Sequence, residues 1–322
     1  AQGLANQRYT VITSATDISG DFDSVSFDSS VATPDYLTLG GQIAADLKSY
    51  FVGLGLTWED PAETAPGKFT LTEAGDSFNL DLALNDRSGS FASGWNGRDL
   101  IKDGLGNLIM AAVNGYTGLT DIRGGTLTAN IDNAFAASSE VSVAAGATLD
   151  LNGFNQTARN LSGAGQINLG TGVLTVQNSV ASAFTGQIDG GGSLIKQGVG
   201  DFTLSGNNGY TGGTSINAGQ LIIQNGSALG SGRVTNNSFL ELALTADGTV
   251  VNQLAGTGNL IKSGSSVATL NAAGSTAGAV TVGGGTLSCA QSGNFHAAAL
   301  TTHCGVTRHM TAGAATALIL CS

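Results

Sequence analysis

Short apolar or alternating stretches, separated by small polar residues, dominate the pattern of hydrophobic and polar positions. Residues 126–130 (TLTAN), 148–152 (TLDLN), 173–177 (VLTVQ) and 221–225 (LIIQN) are the clearest of them. This pattern predicts short β-strands, because successive side chains of a strand point to opposite faces. A helical period is nearly absent, and only residues 44–54 (AADLKSYFVGL) predict one or two helical turns.

Three segments of equal length align without a gap, and this repetition separates the two architectures that short strands allow. They cover residues 100–127, 194–221 and 260–287, and each begins with Leu-Ile-Lys. An antiparallel sandwich or barrel fits short strands as well as a parallel solenoid does. The repetition favours the solenoid, since stacked coils place like residues above like residues. Because the copies begin 94 and then 66 residues apart, each interval should contain several smaller coils.

The residues that recur in register are interpreted as structural positions. The glycines mark corners that need a positive φ or a close approach of the backbone. The lysines form a structural or surface stripe rather than a unique catalytic base. The tyrosines pack and cap a turn, with surface stacking as the alternative. These positions are Lys102, Lys196 and Lys262; Gly104, Gly198 and Gly264; Gly125, Gly219 and Gly285; and Tyr116 and Tyr210, with Thr276 in the third tyrosine slot.

Composition narrows the functional classes. Among 322 residues there are 49 Gly and only 11% charged residues, with a net charge of −11. That charge argues against nucleic acid as a partner, because phosphate binding needs clustered Lys and Arg. No apolar run approaches the length needed to span a bilayer. The N-terminus lacks the pattern of a signal peptide, so we expect a cytosolic chain or a mature piece of a longer protein.

Reactive side chains are confined to the end of the chain. No Cys precedes Cys289 and no His precedes His296, which excludes catalytic triads and zinc sites from the first 288 residues. The motif Gly75-Asp76-Ser77 is therefore interpreted as a solvated turn. The loose acidic group Glu73, Asp76, Asp81 and Asp86 lacks the spacing of a calcium loop. We predict no catalytic residue, no metal site and no cofactor.

The segment 194–221, LIKQGVGDFTLSGNNGYTGGTSINAGQL, closely resembles the autotransporter-associated β-strand repeat of type V secretion passengers. The match is good in 100–127 and degraded in 260–287. Residues 8–25 are similar to coils that close a passenger module in AIDA-type adhesins, and residues 93–104 are similar to the start of a new module. The resemblance implies a right-handed parallel β-helix (solenoid), exported through the outer membrane of a Gram-negative bacterium. It also implies a C-terminal β-barrel translocator in the parent chain, of which this chain would be an internal passenger piece.

Three regions follow from this resemblance. Residues 1–66 would be the closing coils of a preceding module and a linker, and residues 67–287 the β-helix. Residues 288–322 form an anomalous tail that holds all three Cys and all three His. We interpret this tail as not native to the repeat, for example a frameshifted C-terminus. Zinc binding is a minor alternative, because no compact pair of ligands is present, and a disulfide would leave one Cys over. Its Cys and His residues are Cys289, His296, His303, Cys304, His309 and Cys321.

The expected function is that of a non-enzymatic surface passenger. Its partners would be host extracellular-matrix or cell-surface molecules, or other copies of itself. A long solenoid offers many weak polar contacts that sum by multivalency. Two alternatives stay open: a β-helical polysaccharide-degrading enzyme (lyase or glycosidase), and a passive stalk that presents another effector domain.

Overall fold

A computed structural model describes residues 8–19, 34–43, 45, 47–59, 67–89, 91, 94–135, 137–290, 295–302, 306–310 and 317–321. In these ranges the chain forms 32 short β-strands and one 3₁₀ helix, Thr57–Glu59. Most strands pair in parallel with strands of neighbouring coils. The predicted all-β solenoid is therefore confirmed.

The N-terminal part is a three-stranded antiparallel sheet. It contains β1 (Arg8–Thr13), β2 (Leu37–Ile43) and β3 (Ser49–Leu56), with β3 in the centre. The helical turns predicted for residues 44–54 are wrong, because β3 occupies most of that range and pairs on both sides. Its aromatic and β-branched residues suit a strand, and the two partners outweigh its weak helical period. That residues 1–66 are the closing coils of a preceding module and a linker stays a prediction.

The solenoid consists of short strands that alternate with tight corners. They are β4 (Lys68–Thr70), β5 (Ser77–Leu80), β6 (Leu100–Asp103), β7 (Asn107–Met110), β8 (Leu119–Ile122), β9 (Thr126–Ala129), β10 (Glu140–Val143), β11 (Thr148–Asp150), β12 (Gln156–Ala158), β13 (Ser162–Gly163), β14 (Gln166–Asn168), β15 (Val173–Gln177), β16 (Ser182–Phe184), β17 (Gln187–Asp189), β18 (Ser193–Gln197), β19 (Phe202–Leu204), β20 (Thr214–Ile216), β21 (Gln220–Ile223), β22 (Val234–Asn236), β23 (Phe239–Leu242), β24 (Gly248–Val250), β25 (Leu254–Ala255), β26 (Asn259–Lys262), β27 (Val267–Leu270), β28 (Ser275–Val282), β29 (Thr286–Cys289) and β30 (Phe295–Thr302).

Successive coils stack these strands into faces. Sheet I is the longest and has twelve strands, in the order β30-β28-β26-β23-β21-β19-β16-β13-β10-β8-β6-β4. Sheet II has six strands, β17-β14-β11-β9-β7-β5, and sheet III has six, β12-β15-β18-β20-β22-β25. A further sheet contains β24, β27 and β29, joined by the antiparallel pair β31 (Val306–Met310) and β32 (Ala317–Cys321). Each coil thus passes from sheet I through a corner to the next face.

Columns of apolar side chains fill the interior. On sheet I, Phe202, Leu221, Leu240 and Leu260 occupy successive rungs and are almost completely buried. The alternating burial of each strand places one set of side chains inside and the other outside. Truncation of one such leucine to alanine should cost about 2–5 kcal/mol, because its neighbours in the column cannot fill the cavity.

Aromatic side chains close the N-terminal end of this core. Tyr36 stacks on Phe69 with 5.6 Å between ring centroids and contacts Phe78 at 4.7 Å. Trp58 is buried and meets the Trp95 ring edge-on at 4.8 Å, while its Nε1 donates to the Asn85 carbonyl at 2.9 Å. The segment around Tyr36 and Trp58 therefore covers the first coil, which would otherwise expose its core to water.

At the other end, parallel stacking continues into the predicted tail. β30 pairs in parallel with β28 from Phe295 to Thr302, although the repeat pattern has ended. β32 then pairs antiparallel with β29. Among the described helical segments, none has the length and hydropathy needed to cross a bilayer. The division of the chain at residues 66 and 287 stays a prediction.

Candidate functional site

The recurring lysines lie inside the solenoid, and each ammonium group closes a corner. Lys102 Nζ donates to the carbonyls of Asp103 at 2.8 Å, Gly104 at 3.0 Å and, in the next coil, Gly124 at 3.0 Å. All three lysine side chains are completely buried. A buried ammonium group is tolerated only where acceptors surround it, and three carbonyls use its three N–H donors.

The other two copies repeat this arrangement. Lys196 Nζ donates to the carbonyls of Gln197 at 3.0 Å, Gly198 at 2.8 Å and Ala218 at 3.1 Å. Lys262 Nζ contacts the Ser263 carbonyl, and it donates to Gly264 at 3.3 Å and Gly284 at 3.5 Å. Desolvation lowers the pKa of Lys102 and of Lys196 to about 8. These lysines are thus buried corner residues with no room for a substrate, rather than a surface stripe.

The recurring tyrosines are also inside. The Tyr116 hydroxyl pairs with Thr120 Oγ1 at 2.7 Å, and the Tyr210 hydroxyl pairs with Thr214 Oγ1 at 2.6 Å. Both rings are fully buried, so they are not available for stacking on a surface ligand. Burial raises the pKa of both tyrosines far above the usual value.

A recurring asparagine was missed by the sequence analysis, although its register is the same. Asn114 accepts from Leu84 N at 2.7 Å and donates to the Ala134 carbonyl at 2.8 Å. Asn208 accepts from Ile188 N at 2.8 Å and donates to the Ala228 carbonyl at 2.6 Å. Each buried amide therefore joins the preceding coil to the following one. The motif Asn-Gly-Tyr-Thr-Gly, shared by the first two copies, was the signal that could have identified it.

The recurring glycines stand where the corners leave no room for a side chain. Gly198 has a φ of +80°, and an added Cβ would lie 2.2 Å from the Asn178 carbonyl oxygen. Gly219 has a φ of +64° and would bring a Cβ to 2.5 Å from the Gly198 oxygen. A side chain at either position would strain the backbone and force the coils apart.

The sequence candidates for chemistry are not brought together. Asp76 accepts from Glu73 N at 2.9 Å, as expected for a turn, and Asp86 accepts from both the N–H and the hydroxyl of Thr117. Ser77 begins β5, far in sequence from any histidine. Over the described ranges, no group of three His, Cys, Asp or Glu side chains could hold a metal ion.

In the tail, the cysteine and histidine candidates give no site that can be described. Cys289 is a free, buried thiol whose pKa is raised by desolvation. His296 lies in β30 with an exposed side chain. His303 and Cys304 lie outside the described residues.

The outer side of sheet III offers an uncharged surface at its centre. The stacked side chains Gln177 and Gln197 occupy neighbouring rungs, beside the stacked Thr175, Ile195 and Ser215. No outward-facing side chain of β15, β18 or β20 is charged, although the chain carries a net charge of −11. We call this surface the amide face. It presents hydrogen-bonding groups without like-charge repulsion between two copies of an acidic chain.

Comparison with known proteins identifies the same three segments as repeats. The family model described as the passenger-associated-transport-repeat matches residues 100–129, 194–223 and 260–288. The chain is similar to the adhesin BmaC autotransporter of Brucella suis biovar 1 (strain 1330), with 31% identity over 144 residues, which cover 44% of this chain and 4% of that protein.

Two proteins of Escherichia coli (strain K12) are also similar. The uncharacterized protein YuaQ is 32% identical over 204 residues, or 59% of this chain and 14% of that protein. The uncharacterized lipoprotein YdeK is 32% identical over 149 residues, or 45% of this chain and 11% of that protein. The chain thus spans between 4% and 14% of the length of these relatives. The chain thus contains three copies of the passenger-associated-transport-repeat, and these matches confirm its resemblance to autotransporter passengers.

Proposed function

We propose that this passenger domain is displayed at the cell surface and mediates adhesion to host matrix or host cells, to other copies of itself, or to both, without enzymatic activity. The observation that supports this proposal is the amide face. Its side-chain amides and hydroxyls repeat from coil to coil, and the central strands bring no charge to the contact. The similarity to a protein named as an adhesin points the same way.

The size of the amide face predicts weak individual contacts. Its three strands at about 4.8 Å spacing and about five residues of width give a surface of roughly 240 Å². A standard stable interface buries about 800 Å² on each partner, so one such face is too small to hold two proteins together alone. Adhesion through this face would therefore depend on many copies acting at once, as on a crowded cell surface.

The two alternatives make different demands on the molecule. A lyase or glycosidase needs carboxylates and a basic residue that converge in a groove. The buried lysines are engaged by backbone carbonyls, and the acidic residues near Asp76 and Asp86 bind local turns. A passive stalk needs no binding surface, so it would leave the amide face without a role.

Surface display of the full chain on a non-aggregating cell tests the proposal. We expect the cells to settle faster than cells without the chain, or to bind an immobilised matrix-protein panel. The Thr175→Glu/Ser215→Glu variant should reduce settling at low ionic strength, because it places carboxylates on both sides of the contact. The matched variant Thr203→Glu/Ser142→Glu, on the outer side of sheet I, should leave it unchanged.

Two results would count against adhesion by this segment. Cells that neither settle nor bind would support the passive stalk instead. Release of reducing or unsaturated sugars from a polysaccharide panel would support the enzyme.

A further inference from the structure

A groove crosses several coils at the corner between sheet I and sheet II. Only three residues lie between Gly163 and Ile167, and three between Phe184 and Ile188, whereas five lie between Val143 and Leu149. These paired positions stack in register. The two three-residue corners therefore project less far outward than the five-residue corner of the preceding coil, and the surface is recessed there. The resulting depression has a volume of about 450 Å³. It lies on a different side of the solenoid from the amide face.

The floor of the groove is bare backbone. An added Cβ at Gly186 would lie 1.8 Å from the Gly165 carbonyl oxygen, and one at Gly206 would lie 1.8 Å from the Gly186 oxygen. Coil stacking therefore requires glycine at these positions. The consequence is a smooth strip, parallel to the solenoid axis, from which no side chain projects.

One wall of the groove is a ladder of uncharged polar side chains. Thr148, Gln166 and Gln187 occupy successive rungs of sheet II, and Asn207 lines the groove in the following coil. Gln166 Nε2 donates to Asp189 Oδ2 at 3.4 Å, and Gln187 Nε2 donates to Asp189 Oδ1 at 3.3 Å. The shared Asp189 carboxylate holds both amides on the outer surface, and it orients the Nε2 group of each glutamine toward itself.

Coil stacking explains the glycine floor, but it does not explain this ladder. Gln166, Gln187 and Asn207 are exposed and cover no apolar core. A purely structural corner would be satisfied by any small polar residue. Three adjacent amides, each able to donate and to accept a hydrogen bond, form instead a regular array about 10 Å long at a strand spacing of about 4.8 Å.

We propose that this groove binds an uncharged oligosaccharide that lies along the solenoid axis. Sugar hydroxyls both donate and accept, which matches the amide and hydroxyl groups of the wall. The volume lies within the range of about 300–1,000 Å³ that small-ligand sites occupy. No charged side chain lines the groove, and the nearby Asp189 carboxylate disfavours acidic sugars.

A peptide fits this groove less well. Peptides are recognised through a free strand edge, an apolar groove or a cluster of charges. Here β11 and β14 are paired on both sides. The outer edge of β17 is covered by the next coil, where Ile188 N donates to Asn208 Oδ1 and the Ile188 carbonyl accepts from Gly209 N. The lining of the groove is glycine, alanine, threonine and amide side chains. This inference is independent of self-association through the amide face, because the two surfaces share no residue.

The test uses the full chain and a panel of soluble glucose and mannose oligomers, with oligogalacturonate as the acidic counterpart. We expect at least one neutral oligomer to bind and the acidic one to bind at least tenfold more weakly. The Gln166→Ala/Gln187→Ala variant should lose at least tenfold in affinity. The matched control Gln177→Ala/Gln197→Ala removes the same groups from stacked rungs of sheet III and should keep the affinity. Circular dichroism and thermal melting verify that both variants are folded.

Three results would overturn the inference. They are the absence of binding by every neutral oligomer, equal binding of the acidic one, and an equal loss of affinity in the control variant. Cell settling separates this inference from the proposed function. Gln166→Ala/Gln187→Ala should leave settling unchanged, and failure of settling alone would contradict the adhesive role without affecting the groove.

Discussion

The buried tyrosine–threonine pairs permit a comparison within one molecule. In the second copy, Tyr210 OH and Thr214 Oγ1 are 2.6 Å apart, and neither has another side-chain partner among the described residues. In the first copy, Thr120 Oγ1 pairs with Tyr116 and also donates to Ser138 Oγ at 3.1 Å. The same Tyr→Phe change therefore leaves an isolated hydroxyl in one coil and a partnered one in the other.

The expected magnitudes follow from this difference. Tyr210→Phe leaves the buried Thr214 hydroxyl without a partner, which should lower the free energy of unfolding by about 1–3 kcal/mol. Tyr116→Phe should cost about 0.5–1.5 kcal/mol, the net value of one hydrogen bond, because Thr120 keeps Ser138. The double variant Tyr210→Phe/Thr214→Val removes both polar groups and should be more stable than the sum of the single changes predicts.

Urea unfolding measures these differences in the free energy of unfolding, provided that the slope m is the same for every variant. The Thr214→Val variant completes the double-mutant cycle. The third copy already contains such a replacement, since Thr276 and Val280 stand where the second copy has Tyr210 and Thr214. Equal losses for Tyr116→Phe and Tyr210→Phe would refute the reasoning. So would strict additivity in the cycle, because it would mean that the two hydroxyls do not interact.

Two further predictions concern charge and packing. Desolvation lowers the pKa values of Lys102 and Lys196 to about 8 from 10.5, so the unfolded chain binds more protons than the folded chain between these two pH values. The urea midpoint should therefore rise with pH from about 8 to 10. Above pH 10 the midpoint should fall, because the unfolded chain ionises tyrosines that burial keeps protonated in the folded chain. A midpoint that falls steadily from pH 8 would contradict this. Gly186→Ala should destabilise the fold by about 1–3 kcal/mol, because its Cβ would lie 1.8 Å from the Gly165 oxygen, whereas Gly75→Ala, with nothing within 4 Å, should have a small effect in the same thermal-melting assay.

Several structural features were accessible from the sequence because they depend on local geometry. Short alternating stretches predicted strands such as β15 and β21, and recurring glycines marked corners such as Gly198. The helical turns at 44–54 failed because β3 gains two partners from segments that the local pattern cannot connect to it. Tertiary pairing of this kind overrides a weak local period.

The burial of the lysines was harder to foresee. A lysine that recurs every few coils is normally expected at the surface, since lysine is almost never fully buried unless its charge is satisfied. At Lys196 the acceptors are backbone carbonyls, which have no residue-type signature in the sequence. The groove could not be predicted from the sequence for a related reason. It arises from differences in corner length between coils, and these can be compared only once Gly163 and Phe184 are known to occupy the same column.

The spacing of the copies shows what the repeat encodes. From Leu100 to Leu260 the chain advances 160 residues and eight rungs of sheet I, or 20 residues per coil. The offset of 94 residues is thus about four and two-thirds coils, and the second copy begins on sheet III instead of sheet I. Lys196 nevertheless makes the same three carbonyl contacts there as Lys102 makes on sheet I. The repeat therefore specifies the closure of a corner between two coils, wherever that corner lies, and leaves the outward residues of each face free to differ.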